Sequence, residues 1–119
     1  MIDAETIAAL DALNEEGETD VVSEVFRLFL ADAPARVTAI RTAAAGGDTA
    51  GLRRAAHALK GSAANVGAQQ VRDVCLALEH GASAGRIDAA LITSLDAVMS
   101  ATEAAVWTMM ADREARSGR

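Results

Sequence analysis

Apolar residues recur every three or four positions along most of the chain, and this spacing constrains the fold more than any other feature. In residues 20–45 the stripe consists of Val22, Phe26, Phe29, Ala33, Val37, Ile40 and Ala44. Such residues lie on one side of an α-helix, although Pro34 predicts a kink or a break within it. Aromatic residues make up only 3% of the chain, which disfavours a strand-rich sandwich. The sequence therefore predicts an all-α fold.

Turn signals divide this pattern into one short helix and four long ones. We place them at about residues 3–14, 20–45, 48–66, 68–80 and 88–111. Gly46 and Gly67 are suited to helix ends, and Asp20 and Asp48 to N-caps. A chain of 119 residues has the length of one domain. We expect a single domain over residues 1–119, an antiparallel up-down-up-down four-helix bundle with a short additional N-terminal helix.

Charge is unevenly distributed along the chain. The net charge of −6 argues against binding to nucleic acid through phosphates. Residues 36–72, which we call the basic sector, hold six basic residues against one acidic residue, a local charge of +5, while the remainder carries −11. The sequence has neither the pattern of a secretory signal nor a run of about 18 apolar residues. We expect a cytoplasmic protein without nucleic-acid or membrane partners.

Three conspicuous side chains have simple structural explanations. Cys75 is the only cysteine, and its apolar neighbours predict a small buried side chain without a redox role. His80 precedes Gly81 at a predicted helix end, where a histidine interacts well with the helix dipole. Trp107 lies off the main stripe of the last helix, so we expect it to pack against the first helix.

The segment AHALKGSAANVGA, residues 56–68, separates into two faces when it is placed on a helix. Its core face is formed, together with Leu52, by Ala56, Leu59, Ala63 and Val66, all within about 40° of one direction. His57 falls about 140° away, and Gly61, Ala64 and Ala68 share this outer face. His57 is therefore expected outside the core, either as a reactive group or as a solvated surface histidine.

The neighbours of His57 favour the reactive group. A glycine inside a helix costs about 0.8 to 1 kcal/mol relative to alanine, so Gly61 indicates that space is needed next to the imidazole. Lys60, three residues after His57, is placed to stabilise an anion attached to the ring. Arg53 and Arg54 add to the positive field.

Glu79 is a candidate partner of His57 on the next helix. In an antiparallel pair joined near Gly67, the two residues lie about 15 and 18 Å from the turn, and so at about the same level. A carboxylate that accepts a hydrogen bond from Nδ1 would leave Nε2 as the nucleophile. A merely solvated Glu79 is the alternative.

These residues carry a family resemblance. AHALKGSAANVGA resembles the signature of histidine-containing phosphotransfer (HPt) domains, H-x-L-K-G-S followed by a G-A pair. CLALE at residues 75–79 and FLADAPARVTAI at residues 29–40 resemble two further segments of that family. The resemblance covers about residues 20–80 and implies a four-helix bundle with a short extra helix.

The resemblance also implies a role for each matching residue. His57 would be the phosphoacceptor, Lys60 the cation that stabilises the phosphoryl group and Gly61 the residue that gives access. Asn65 and Ala68 match the end of the motif, as does Gly67.

The function implied is that of a phosphorelay intermediate in two-component signalling. Such a protein accepts a phosphoryl group on histidine from the aspartyl phosphate of a response-regulator receiver domain and passes it to another receiver aspartate. Its partners are receiver domains or a hybrid histidine kinase, and Mg²⁺ is expected on the receiver. Since neither G-x-x-x-x-G-K-[ST] nor G-x-G-x-x-G occurs, we expect a monomeric phosphocarrier without an ATP site, a cofactor or a metal.

Several alternatives stay open. One is an HPt-like domain excised from a larger hybrid or chemotaxis histidine kinase, whose phosphotransfer domain has a similar H-x-x-K-G core. The dimerisation domain of a sensor kinase typically has an acidic residue directly after its histidine, whereas Ala58 follows His57. A non-enzymatic adaptor bundle or a metal-binding bundle is a further class, but no Glu-x-x-His or His-x-x-x-His pair supports a metal.

Overall fold

Five α-helices make up the part of the chain that the structure, a computed structural model, describes: residues 2–14 and 20–116. They are α1 (Ala4–Asp11), α2 (Val21–Ala45), α3 (Thr49–Asn65), α4 (Gln69–Ser83) and α5 (Ala89–Arg116). Within these residues the only strand-like pairing is an isolated antiparallel bridge between Ile2 and Ala68. The predicted all-α fold is confirmed.

The core is formed by the apolar stripes of the four long helices. Its largest fully buried side chains include Phe26, Ile40, Leu52, Leu59, Leu78 and Leu95. Burial of one such side chain contributes about 1.5 to 3 kcal/mol. α3 packs most extensively against α4 and then against α2, while α5 packs against α4. Because α3 has neighbours on two sides, the residues opposite its buried stripe form an accessible outer face.

Two predicted core features are found in the structure. α2 is one continuous helix that includes Pro34, so the chain does not break at this residue. Cys75 is fully buried, and burial raises the pKa of its thiol to about 12. A thiol with this pKa stays protonated at neutral pH, which fits the expected packing role.

α4 is longer than predicted. It ends at Ser83 and not at His80, because Gly81 is accommodated within the last turn. The chain reverses at Gly85, whose φ of +77° favours glycine. The Arg86 N–H then donates to the Gly81 carbonyl oxygen at 2.8 Å, which closes the helix in a Schellman motif.

The first and last helices also differ from their predicted bounds. α1 ends at Asp11, earlier than expected, and α5 continues to Arg116. Trp107 is 60% exposed, so the expectation that it packs against the first helix is wrong. The core-facing residue is Val106, and Trp107 stands about 100° further around the helix.

α5 is the longest of the described helices, with 28 residues, and it is rich in apolar side chains. Its most apolar 18-residue window has a mean hydropathy of 1.3, which by length and composition alone would allow a membrane span. A helix in a protein core can meet the same criterion. Of this window 22% is buried, and α5 contributes Leu95, Met99, Thr102 and Val106 to the interior of the bundle.

Candidate functional site

α3 holds His57 on its outer face. The buried stripe of the helix consists of Leu52, Ala56, Leu59 and Ala63, as the helical angles predict. His57 falls between these positions, and 67% of its side chain is exposed. Solvent and other molecules can therefore reach the imidazole.

α4 supplies a carboxylate to this histidine. The Nδ1 atom of His57 lies 2.7 Å from Oε2 of Glu79, so the two residues are level on neighbouring helices, as their distances from Gly67 predict. The Nζ atom of Lys60 lies 2.5 Å from Oε1 of the same carboxylate. Glu79 thus joins His57 and Lys60 in one hydrogen-bonded cluster, of which Glu79 is the most covered member.

The protonation of this cluster follows from its contacts. The hydrogen bond from Lys60 is the main influence that lowers the pKa of Glu79, and the hydrogen bond with His57 lowers it further, against the effect of burial. An ionised carboxylate has no proton to donate, so Nδ1 of His57 carries the hydrogen and donates it. The neutral ring then has its lone pair on Nε2, for which no hydrogen-bond partner is seen among the described residues.

The surface beside His57 is open. A Cβ atom added at Gly61 would meet no other atom within 4 Å, so neighbouring residues of the folded chain do not require a glycine there. Ala64 and Asn65 are also exposed. Arg53 and Arg54 are exposed and form no ion pair within the described part of the chain.

The predicted position of Ala68 is wrong. Ala68 is 1% exposed and belongs to the core, although its helical angle had placed it beside His57. α3 ends at Asn65, and Gly67, with φ +68°, reverses the chain, so the angular step does not continue to residue 68. Ala68 instead caps the start of α4.

Two features of the site were missed at the level of sequence. Lys60 was expected to be available to an anion, whereas its ammonium group is bound to Glu79. Its angle of about 80° on α3, on the same side as His57, could have indicated a shared partner. The second feature is Arg36 on α2, whose buried Nε atom has no hydrogen-bond partner in the described part of the chain; the sequence counts this residue only toward the charge of the basic sector. In the described ranges no group of three or more His, Cys, Asp or Glu residues is placed to hold a metal ion.

A helical bundle with an exposed histidine, oriented by a carboxylate from the adjacent helix, is the arrangement expected of a module that carries phosphoryl groups on histidine. The family model of the Hpt domain matches residues 24–105, and the chain belongs to the Hpt domain family. The family acts in histidine phosphotransfer in two-component signalling, as phosphocarrier modules that interact with receiver domains and kinases. None of the curated proteins compared matches the chain.

Proposed function

We propose that this protein is a phosphorelay intermediate whose His57 accepts a phosphoryl group from the aspartyl phosphate of one receiver domain and passes it to the aspartate of another. The observation that carries the proposal is the hydrogen bond between Nδ1 of His57 and Glu79 on a largely exposed imidazole. It holds the ring in one tautomer and leaves Nε2 free for attack.

The transfer step is an in-line displacement at phosphorus. The Nε2 lone pair forms the N–P bond while the P–O bond to the receiver's aspartate breaks, and that aspartate leaves as a carboxylate. The ring becomes a cation that still carries its hydrogen on Nδ1. The negative charge of Glu79 stabilises this cation, and the return transfer to a second receiver reverses the same changes.

Lys60 is the cation placed to act on the phosphoryl group. In the unphosphorylated chain its ammonium group is held by Glu79, next to the ring that would carry the phosphate. A phosphoryl group on Nε2 adds three anionic acceptors close to this ammonium group. Lys60 would then be shared between the phosphoryl oxygens and Glu79, while Arg53 and Arg54 contribute field from the exposed surface.

The receiver would dock over the outer face of α3. Gly61, Ala64 and Asn65 present little side-chain bulk around His57, and Leu28 on α2 adds an exposed apolar group. Mg²⁺ and most catalytic groups would come from the receiver, and this chain would need no ATP site of its own. We also propose that it is a cytoplasmic, monomeric carrier. The helices α2 to α5 would alternate in direction, because α3 is joined to both of its neighbours by tight turns and packs along them.

Phosphoryl transfer from receivers tests the proposal. A panel of receiver domains, each phosphorylated with radiolabelled acetyl phosphate and desalted, is mixed with the wild-type chain and with His57→Gln. We expect acid-labile, base-stable label on the wild type and none on the variant. Glu79→Ala should be labelled about tenfold more slowly, a loss of about 1.4 kcal/mol of transition-state stabilisation, whereas Glu103→Ala on α5 serves as the matched control. Equal labelling of His57→Gln and wild type would refute the proposal.

A further inference from the structure

A groove between α2 and α3 opens beside His57. It has a volume of about 360 Å³ and is lined by five alanines, including Ala55 and Ala58 of α3, together with Asp32 and Arg36 of α2. Ala58 directly follows His57, so a molecule that covers the histidine also reaches the groove. The small alanine side chains leave room there for a side chain of that molecule.

Arg36 is the unusual member of this groove. Its Nε atom is buried and has no hydrogen-bond partner within the described part of the chain, and its guanidinium group forms no ion pair there. Asp32, one helical turn earlier, lines the same groove without pairing with it. Buried donors in folded proteins are nearly always satisfied, so Arg36 is exceptional in having no acceptor within the described chain, and as a residue that lines the open groove it can pair with a group on another molecule.

Arg36 also lies at the level of His57. Each residue is about ten residues from the turn between α2 and α3, or about 15 Å along its helix. On the α4 side of His57 the charge of Lys60 is compensated by Glu79. On the α2 side the charge of Arg36 is uncompensated.

We infer that Arg36 is a specificity-determining residue that binds an acidic side chain of the receiver domain docked over His57. This inference rests on the proposed function. The guanidinium group has the fork of donors that suits a carboxylate, and a charge pair covered by the docked receiver contributes both affinity and selectivity. Receivers without an acidic residue at the facing position would leave Arg36 unpaired and would bind more weakly.

The experiment compares Arg36→Met with Arg27→Met. Both variants keep most of the side-chain stem and lose one charge from α2, but Arg27 is exposed and outside the groove. With a phosphorylated receiver as donor, Arg36→Met should raise KM about tenfold and leave kcat unchanged, while Arg27→Met stays within about twofold of wild type. Labelling of His57 by phosphoramidate, a donor too small to need docking, should be equal in all three proteins.

Arg36→Lys serves as a second variant in case Arg36→Met does not fold. Each of the outcomes below supports or overturns the inference. Arg36→Lys keeps the charge but not the buried Nε–H, and its KM should fall between wild type and Arg36→Met. Equal KM values for Arg36→Met and Arg27→Met would overturn the inference. Slower phosphoramidate labelling of Arg36→Met, or a shorter lifetime of its isolated phosphohistidine, would also overturn it, because Arg36 would then act on the phosphoryl group. A wild-type chain that accepts label from no receiver would refute the proposed function itself.

Discussion

Glu79 accepts hydrogen bonds from both the histidine and the lysine of the site, and it thereby fixes the positions of the two side chains. Its two oxygens orient His57 and hold Lys60 at 2.7 and 2.5 Å, so neither oxygen is free of a strong donor. The lowered pKa of Glu79 keeps it ionised over the physiological range. The three side chains are therefore held in one arrangement, and under the proposed function the ammonium group of Lys60 is already in place before a phosphoryl group is attached to His57.

Substitutions at Gly61 can test the stability of the fold and the access of a partner to His57 separately. A Cβ at this position meets no atom within 4 Å, so Gly61→Ala should fit without strain and raise the free energy of unfolding by about 0.8 to 1 kcal/mol. Gly61→Leu should also fold, but its side chain would stand in the path of a docking receiver. We expect transfer from a receiver to fall about tenfold or more in Gly61→Leu.

Urea denaturation and receiver-dependent labelling measure these two effects separately. Phosphoramidate labelling of His57 in Gly61→Leu is the control, because a small donor needs less clearance than a protein. A Gly61→Leu variant that accepts phosphate from the receiver at the wild-type rate would show that the glycine does not serve access.

The helices show how far the sequence alone predicts this fold and where it stops. Apart from Ala44, which is half-buried, the predicted apolar stripes of α2 and α3 are found in the core, because both helices are amphipathic and their core positions repeat at helical spacing. The outer position of His57 and its proximity to Glu79 followed from the same regular geometry. Two of the errors lie where regular geometry ends: Ala68 follows the reversal at Gly67, and the end of α4 depends on Gly85 rather than on the nearer Gly81. A sequence shows that a glycine is present, but not which glycine adopts positive φ.

One side chain connects the ends of three helices. Arg113 of α5 donates from Nε and Nη2 to Asp20, the N-cap of α2, at 2.8 Å each, and from Nη2 to Asp11 of α1 at 2.7 Å. The hydrogen bond from Arg113 is the main reason that the pKa of Asp20 lies well below its usual range. This cluster holds α1 and the last turns of α5 against the start of α2.

Arg113→Ala should lower the free energy of unfolding by about 1 to 2 kcal/mol at pH 7, because it removes a mostly covered partner from two carboxylates. Asp20 has a lower pKa in the folded chain than in the unfolded chain, so its contribution is fully present above a pH of about 4 and is lost as the pH falls below that value. The difference between wild type and Arg113→Ala should therefore shrink as the pH falls from about 4 to about 2.

Urea denaturation over this pH range measures the effect, with Arg116→Ala, an exposed arginine in the same helix end, as the control that should change stability little at any pH. A wild-type advantage over Arg113→Ala that stayed constant down to about pH 2 would mean that the Asp20 pair does not produce it.

At the scale of the whole molecule, the basic sector has fewer unpaired cations than its sequence charge of +5 suggests. Arg41 is paired with Asp96, Lys60 with Glu79 and Arg72 with Asp73. The uncompensated cations of the sector are Arg36, Arg53 and Arg54, which form no ion pair among the described residues. They belong to α2 and α3, the helix that carries His57 and its neighbour, while the remainder of the chain is acidic. This distribution of charge favours the correct orientation of an acidic partner more than a strong overall attraction to it.

The ionic-strength dependence of receiver binding follows from this distribution. Screening shortens the range of charge interactions from about 10 Å at 0.1 M salt to about 3 Å at 1 M, so the association rate constant should fall roughly tenfold between about 0.05 and 0.5 M salt. The double variant Arg53→Gln/Arg54→Gln should flatten this dependence. Arg27→Gln/Arg86→Gln makes the same change in net charge outside the sector and should retain the wild-type slope, as measured by stopped-flow fluorescence. If both double variants flattened the slope equally, net charge alone would govern association, and the position of the cations beside His57 would have no part in steering the receiver.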